Sequence, residues 1–363
     1  MGANQKNDMK SINIVFPAPN QVEVHEEPID RPGMGEVLCE AEVSLISTGT
    51  ETHCLRGLFE AGTNWADWVH YPFYPGYSMA ARVVSLGSSV QSLKVGDRIA
   101  AYAGHCQRFI VPADDVIPIP DGLDSETACW TALAVTTQLG VRRAELALGE
   151  TVGVIGLGIL GQLVVQYLLL AGARRVLAVD TVLARLELAR AHGATHILPM
   201  DAHSARDPIA AITNGRMLDA VFEVTGHPAV LAPSIQLVRK LGRVILLGDT
   251  PTPSQQFLGP GVVSNSVAIL GIHGLQIPAS QTEYTPWTRG AMASLFFDYV
   301  LQGRMRVNDL ITHRFSPLAA PEVYQTLVRD RSSLLGVVFD WSRLHSGSAT
   351  AGDCPGNTEQ SDP

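Results

Sequence analysis

Charge, cysteine and aromatic residues are all scarce in this chain. Asp, Glu, Lys and Arg make up 17% of its 363 residues, and the balance is acidic, −9 at pH 7 with His neutral. No basic run stands anywhere, which argues against a nucleic-acid partner and against an anionic membrane surface. The cysteines, Cys39, Cys54, Cys106, Cys129 and Cys354, are odd in number and form no CxxC pair, so neither a disulfide frame nor a four-cysteine zinc lobe is expected. No apolar run is long enough to span a bilayer, and the opening MGANQKNDMK has no apolar segment of the secretory kind. These absences predict a cytoplasmic globular protein with no nucleic-acid and no membrane partner. Hydrophobic residues at 46% are enough for two domains with their own cores.

The most informative stretch is Thr151 to Asp180, TVGVIGLGILGQLVVQYLLLAGARRVLAVD. Thr151 to Ile155 reads as a buried parallel strand, Gln162 to Leu170 as a helix closed by Gly172, and Arg175 to Val179 as a second strand with Asp180 at its end. Between strand and helix stands Gly156-Leu157-Gly158-Ile159-Leu160-Gly161. Gly156 permits the tight turn, Gly158 lets a pyrophosphate approach the backbone, and Gly161 lets helix and strand pack closely. The free N–H groups at the helix start favour phosphate. Asp180 can accept both hydrogen bonds of an adenosine ribose diol and would repel a 2′-phosphate, so the expected cofactor is NAD rather than NADP.

The rest of the chain divides around that unit. Residues 1–10 are expected to be a disordered lead, and 343–363, rich in Gly, Ser, Asp and Pro, a disordered tail. Short alternating runs such as INIVF, VEVHEE and EVLCEAEVSLI read as strands of a β-rich domain, assigned to 11–132 and 286–342. Alternating strands and helices assign 133–285 to a doubly wound parallel sheet, with Ala229 to Leu241 as a helix and Arg243 to Leu247 as the following strand. Ser47 to His53 reads as a polar cluster at a strand end. Seven of the few aromatic residues gather between Phe59 and Tyr77.

A β-rich front, an inserted dinucleotide domain and a short return segment resemble the medium-chain dehydrogenase/reductase superfamily. The resemblance runs from about Ile12 to Trp341. It is carried by GEVLCEAEVSLISTGTE, PGY, VGDRI, GHCQRFIVP, the glycine turn, VFEVTG and GRVILLG. It implies an α/β architecture, a Rossmann sheet plus a GroES-like catalytic domain. In the zinc enzymes of that superfamily a Cys, a His and a third Cys or acid hold a catalytic zinc; the matching positions here are Thr48, Tyr77 with Ser78, and the vicinity of Thr131. Thr and Tyr are not ligands for tetrahedral zinc, so no metal is expected. Cys106 and Cys129, near those regions, read as small buried apolar residues. STGTE with PGY is similar to a zinc-less branch that includes the dehydrogenase of the bacteriochlorophyllide hydroxyethyl side chain; related sequences act on sugars, polyols or natural-product alcohols.

The resemblance also implies roles. Thr50 and His53 match a proton relay, Tyr77 stands where a ligand is vacated, and His105 matches a pocket-lining position, so Tyr77 or His105 is expected to hydrogen-bond the substrate oxygen. Each also has a structural alternative: Thr50 as a backbone cap, His53 as a surface residue, Tyr77 as core, His105 as turn chemistry. Glu51 is expected to orient a neighbour. Thr48, Glu51, Trp65, Trp68 and Thr131 are the candidate substrate pocket, with Trp65 and Trp68 either a lid or packing. Gly156, Gly158, Leu160, Gly161, Asp180, Arg185, Thr225, Leu247, Gly248, Ile269 and Leu270 are the expected cofactor contacts. The function expected is NAD-dependent interconversion of a secondary alcohol and its ketone. A quinone or enoyl reductase and a catalytically silent dinucleotide binder are the competing readings. A homodimer paired across the edge near Val267 to Ile272 is expected.

Overall fold

The computed structural model describes residues 9–278 and 280–344. The expected lead and tail therefore fall mostly outside the described residues. Of their described ends, Lys10 begins a strand and Arg343–Leu344 complete a 3-10 turn, so order reaches slightly further than composition suggests.

Two compact units emerge. Among the described residues, the first comprises 9–55, 71–118 and 307–344, the second 56–70, 119–278 and 280–306. The sequence reading drew the boundaries at 132/133 and 285/286. The helix Thr131–Arg143 packs against both Ile159–Leu170 and Arg289–Leu301, and that contact draws both flanks into the second unit.

In the first unit a seven-stranded sheet runs Ile311–Phe315, Gly336–Asp340, Glu36–Leu45, Met79–Leu86, Arg98–Ala101, Ile117–Pro118, with Arg108–Pro112 also paired to Glu36–Leu45. Lys10–Val15 and Glu23–Pro28 form a separate antiparallel ribbon. The expected polar cluster after Leu45 is in fact a helix, Thr48–Arg56. Its composition, rich in β-branched Thr and carrying Gly49, argues weakly for a helix. The helix is built instead by its ends. Ser47 carbonyl accepts from Glu51 N–H at 2.9 Å, Glu51 Oε1 reaches back to Ser47 N–H at 2.7 Å, and Cys54 and Leu55 are buried.

The second unit holds six parallel strands in the order His196–Pro199, Arg175–Asp180, Thr151–Ile155, Leu218–Glu223, Val238–Leu246, Ala268–Gly271. The chain reverses its direction of travel across the sheet between Thr151–Ile155 and Leu218–Glu223, the switch point at whose carboxyl end such sheets take ligands. Leu177, Val179, Ile209, Leu218, Val221, Ile235 and Val244 fill one apolar layer. One helix is shorter than expected: Leu231–Leu237 stops where Val238 already pairs with Leu218, and Leu241 takes a positive φ of 59°. No helix among the described residues is long and apolar enough to cross a membrane.

Candidate active site

In the second unit the glycine turn has the geometry the sequence asks for. Gly156 sits at φ +90°, where a side chain is strained. A Cβ at Gly161 would lie 2.0 Å from the Gly156 carbonyl oxygen, so only glycine allows helix and strand this close. Gly158 caps the helix Ile159–Leu170 without a side-chain hydrogen bond, and a Cβ there would meet nothing within 4 Å. The first N–H groups of that helix thus face an open cradle suited to an anion. Leu160 is half-buried in the first turn. Asp180 Oδ2 accepts from Leu157 N–H at 2.6 Å and Oδ1 from Val182 N–H at 2.8 Å. These bonds fix the carboxylate and leave each oxygen a further lone pair for a diol.

The other expected contacts gather at the carboxyl ends of the same sheet. Thr225 follows Leu218–Glu223, and its N–H and hydroxyl both bind the Glu223 carboxylate, the N–H at 2.7 Å. Glu223 is fully buried, and burial pushes its carboxyl above the ordinary range. Leu247 and Gly248 N–H groups both bind Glu223 carbonyl, at 2.9 and 3.1 Å. Ile269 and Leu270 are half-buried on the edge strand. Arg185 is half-buried in the helix Leu183–Ala191, its carbonyl accepting from Gln162 at 2.8 Å.

Trp65 and Trp68 belong to this unit as well, on the short helix Asn64–Trp68 capped by Thr63. Their segment is clamped onto the loop after Val238–Leu246. Glu60 N–H binds Pro251 carbonyl at 3.0 Å, and the Glu60 carboxylate takes Ser254 N–H at 3.0 Å and its hydroxyl at 2.5 Å. Trp65 is 6% exposed, and the carboxyl of nearby Asp249 is raised by burial against the charge of His273. Trp65 is therefore packing rather than a lid; Trp68, 43% exposed and 6.3 Å from it centroid to centroid, still shows an open ring. Thr131 is buried, with its hydroxyl donated to Ala128 carbonyl at 2.7 Å, and it presents nothing to a ligand.

The first unit brings Thr50 and Tyr77 together. Tyr77 hydroxyl lies 2.6 Å from Ser47 Oγ and 3.4 Å from Thr50 Oγ1. Tyr77 and Thr50 are half-buried, and Ser47 is buried. Burial pushes the Tyr77 phenol up to about 12, against the hydrogen bonds to Ser47 and Thr50. It therefore stays a neutral hydroxyl. His53 lies one turn further along the same helix, half-buried.

His105 corrects the sequence reading. Its side chain is fully buried, with Nδ1 2.8 Å from Ser44 Oγ and Nε2 3.0 Å from Glu51 Oε2, so neither nitrogen is left for a substrate. Glu51, 1% exposed, leaves the expected pocket for the same reason: it also accepts from Ser47 N–H and from the Tyr324 hydroxyl. Tyr324 is raised well above the ordinary phenol by burial and by Glu51. Trp341 Nε1 closes the network on Ser44 Oγ at 3.0 Å. Thr48 is buried too, its carbonyl accepting from the Thr52 hydroxyl at 2.7 Å. Even the glycine of PGY serves this cluster: a Cβ at Gly76 would sit 2.8 Å from His105 Cγ. Ser47, Ser44, Tyr324 and Trp341 escape sequence reasoning. Only Ser47 carries a signal, as the head of the polar run Ser47 to His53.

A metal does not fit these residues. No group of three or more His, Cys, Asp or Glu among the described residues is placed to hold one. Thr48 and Tyr77 offer neutral hydroxyls, the carboxylate of Glu51 and both nitrogens of His105 are engaged, and the thiols of Cys106 and Cys129 donate to the Gly104 and Glu126 carbonyls at 3.3 and 3.1 Å. Metal ligation needs deprotonated thiols or free imidazole and carboxylate groups.

Known proteins share this design. The chain matches the zinc-binding dehydrogenase family over residues 160–288 and the alcohol dehydrogenase GroES-like domain over residues 33–121, together more than half its length. Sorbitol dehydrogenase of Bacillus subtilis is 31% identical over 241 residues, covering 56% of this chain and 67% of that protein. A zinc-binding dehydrogenase from Sinorhizobium meliloti, bound to NADP, superposes with a TM-score of 0.75 at 22% identity, over 92% of this chain and 100% of that one. A short chain alcohol dehydrogenase from Escherichia coli, complexed with NADH, does so with a TM-score of 0.76 at 20% identity, over 92% and 99%. With more than half of its length matched, a relative 31% identical, and its sheet order and glycine turn in place, the chain belongs to the medium-chain dehydrogenase/reductase superfamily.

Proposed function

We propose that this oxidoreductase interconverts a secondary alcohol, of the sugar, polyol or ring-bearing kind, and its ketone, with NAD and without a metal. The single observation that carries the reading is the neutral hydroxyl of Tyr77, where relatives of the zinc type would place a ligand, set beside the hydroxyl of Thr50. The dinucleotide, when bound, supplies the hydride acceptor or donor. Gly156, Gly158 and Gly161 shape its pyrophosphate cradle, and Asp180 takes the ribose diol. A bound NADP in one structural neighbour and NADH in another supports a nicotinamide dinucleotide here, and Asp180 favours the form without a 2′-phosphate.

Tyr77 and Thr50 hold the substrate oxygen. As hydride leaves the carbinol carbon, negative charge on that oxygen is stabilised by hydroxyl hydrogen bonds in place of Lewis acidity. His53, on the turn after Thr50, takes the released proton onward to solvent. Exposed apolar residues flanking the edge strand Ala268–Gly271 support a homodimer paired across it.

The test is metal analysis and dinucleotide binding on one purified sample, then NAD reduction with a panel of polyols and ring alcohols, with and without EDTA. Turnover of an alcohol, indifferent to chelator and better with NAD than NADP, is expected. Stoichiometric zinc with activity lost to EDTA would overturn the metal-free site. Turnover confined to an enone with NADPH would favour the reductase reading.

A further inference from the structure

We infer that Ser47 sets the hydrogen-bond polarity of Tyr77, so that the site receives the alcohol of a substrate pair in preference to its ketone. The inference rests on the proposed role of Tyr77 in holding the substrate oxygen.

The first observation is the 2.6 Å contact between Tyr77 hydroxyl and Ser47 Oγ. A phenol is much more acidic than an aliphatic alcohol, so in such a pair the phenol donates and the serine accepts. A phenol has one proton. With that proton committed to Ser47 in the free site, the Tyr77 oxygen shows a lone pair to an arriving substrate, and the proton turns to the substrate oxygen only as negative charge develops there.

The second observation is that Ser47 is held in place. It is 4% exposed, and its N–H is bound by Glu51 Oε1 at 2.7 Å. Glu51 is fixed by His105 and Tyr324, His105 by Ser44, and Ser44 by Trp341. A buried polar network with its members satisfied is rigid. It ends at the half-buried hydroxyls of Tyr77 and Thr50, and Ser47 is the residue through which it touches Tyr77. The phenol is also neutral across the working range, so it has no ionised form in which the question of donor or acceptor would vanish.

The consequence is an asymmetry between the two members of a substrate pair. An alcohol brings its own proton and donates to the waiting lone pair. A ketone brings none, and Tyr77 must leave Ser47 in order to donate to it. The equilibrium between free alcohol and free ketone is the same for every variant. The bias therefore appears in the affinities of the bound forms and not in the ratio of kcat/KM values in the two directions. Ser47 is on this account a positioning residue that touches no substrate.

The experiment uses the full chain with cyclohexanol and cyclohexanone as probes, in wild type, Ser47→Ala and Ser47→Thr. Steady-state KM values are measured in both directions, with calorimetric dissociation constants for the two probes and thermal midpoints as the folding control. In Ser47→Ala the KM for cyclohexanol rises and that for cyclohexanone falls, each by roughly 3- to 10-fold. Ser47→Thr, which keeps the accepting oxygen, returns the wild-type pattern. Two values that move in the same direction, or not at all, overturn the inference. A wild type that turns over alcohols of the panel while Ser47→Ala behaves identically sinks the role of Ser47 alone. A wild type inert toward every alcohol and ketone sinks the oxidoreductase reading and the inference with it.

Discussion

The phenol of Tyr77 keeps its proton far into alkaline solution because burial disfavours the phenolate more than Ser47 and Thr50 favour it. A neutral donor of this kind is lost only as pH rises through about 12. In ketone reduction, a fall in rate centred well below that value would have to come from another group, and His53 is the first to examine by Ala substitution. Tyr77→Phe removes one hydrogen bond to the developing alkoxide and lowers kcat/KM by roughly 10²- to 10³-fold, with an unchanged thermal midpoint as control. An effect under threefold would remove Tyr77 from the chemistry. Tyr77 and Thr50 were legible because each sits at a family motif, STGTE and PGY. His105 was misread for a physical reason: sequence places a histidine beside a pocket but does not reveal that Ser44 and Glu51 occupy both its nitrogens. Tyr324 gives no sign of itself, since it meets Glu51 across 273 positions.

At the scale of elements, the parallel sheet and its glycine turn could be read almost whole, because strand, turn and helix there are set by local rules. The helix Thr48–Arg56 could not, because its stability comes from the Glu51 carboxylate and a buried Cys54–Leu55 end and not from propensity. Gly161→Ala tests the first kind of element. The added carbon meets backbone that cannot yield, at 2.0 Å, so helix and strand must part. A loss of about 1–3 kcal/mol in stability and weaker protection by NAD in thermal melts are expected. Asp219 tests the base of the same sheet. It is 2% exposed and accepts from Thr151 N–H at 2.8 Å and from Arg239 Nε at 2.6 Å. Burial raises its carboxyl pKa, but the Thr151 hydrogen bond and the guanidinium groups of Arg239 and Arg216 hold it below the ordinary value. A depressed carboxylate contributes stability above its unfolded pKa and loses it as pH falls through the folded value. Denaturant titrations from pH 7 to pH 3 should thus show a steeper acid loss in wild type than in Asp219→Asn, which starts about 1–3 kcal/mol lower at pH 7. Parallel curves would remove Asp219 from the acid response.

For the whole molecule, the open question of highest consequence is self-association. The strand Ala268–Gly271 is the last of its sheet, and Val263 (91% exposed), Phe257 (71%) and Leu275 (63%) lie in the segments around it. An edge with such residues beside it is an invitation to pair. Light scattering after gel filtration should give twice the chain mass at micromolar concentration, and Val263→Asp combined with Leu275→Lys should give one. A wild-type monomer under those conditions would end the homodimer proposal.

The first unit is assembled from three separated lengths of chain, and Leu45 pairs with Val338. That pairing has a timetable. At ribosomal speeds the chain between these two strands takes roughly 15–60 s to emerge. For that interval Val43–Leu45, the end of Glu36–Leu45 that Arg108–Pro112 does not cover, has no neighbour on one side. The second unit, almost all of it one continuous length, can close before the first is finished. The newborn protein thus passes through a stage with a finished dinucleotide sheet and an unfinished partner strand. The end of that strand stays unpaired until the last residues arrive.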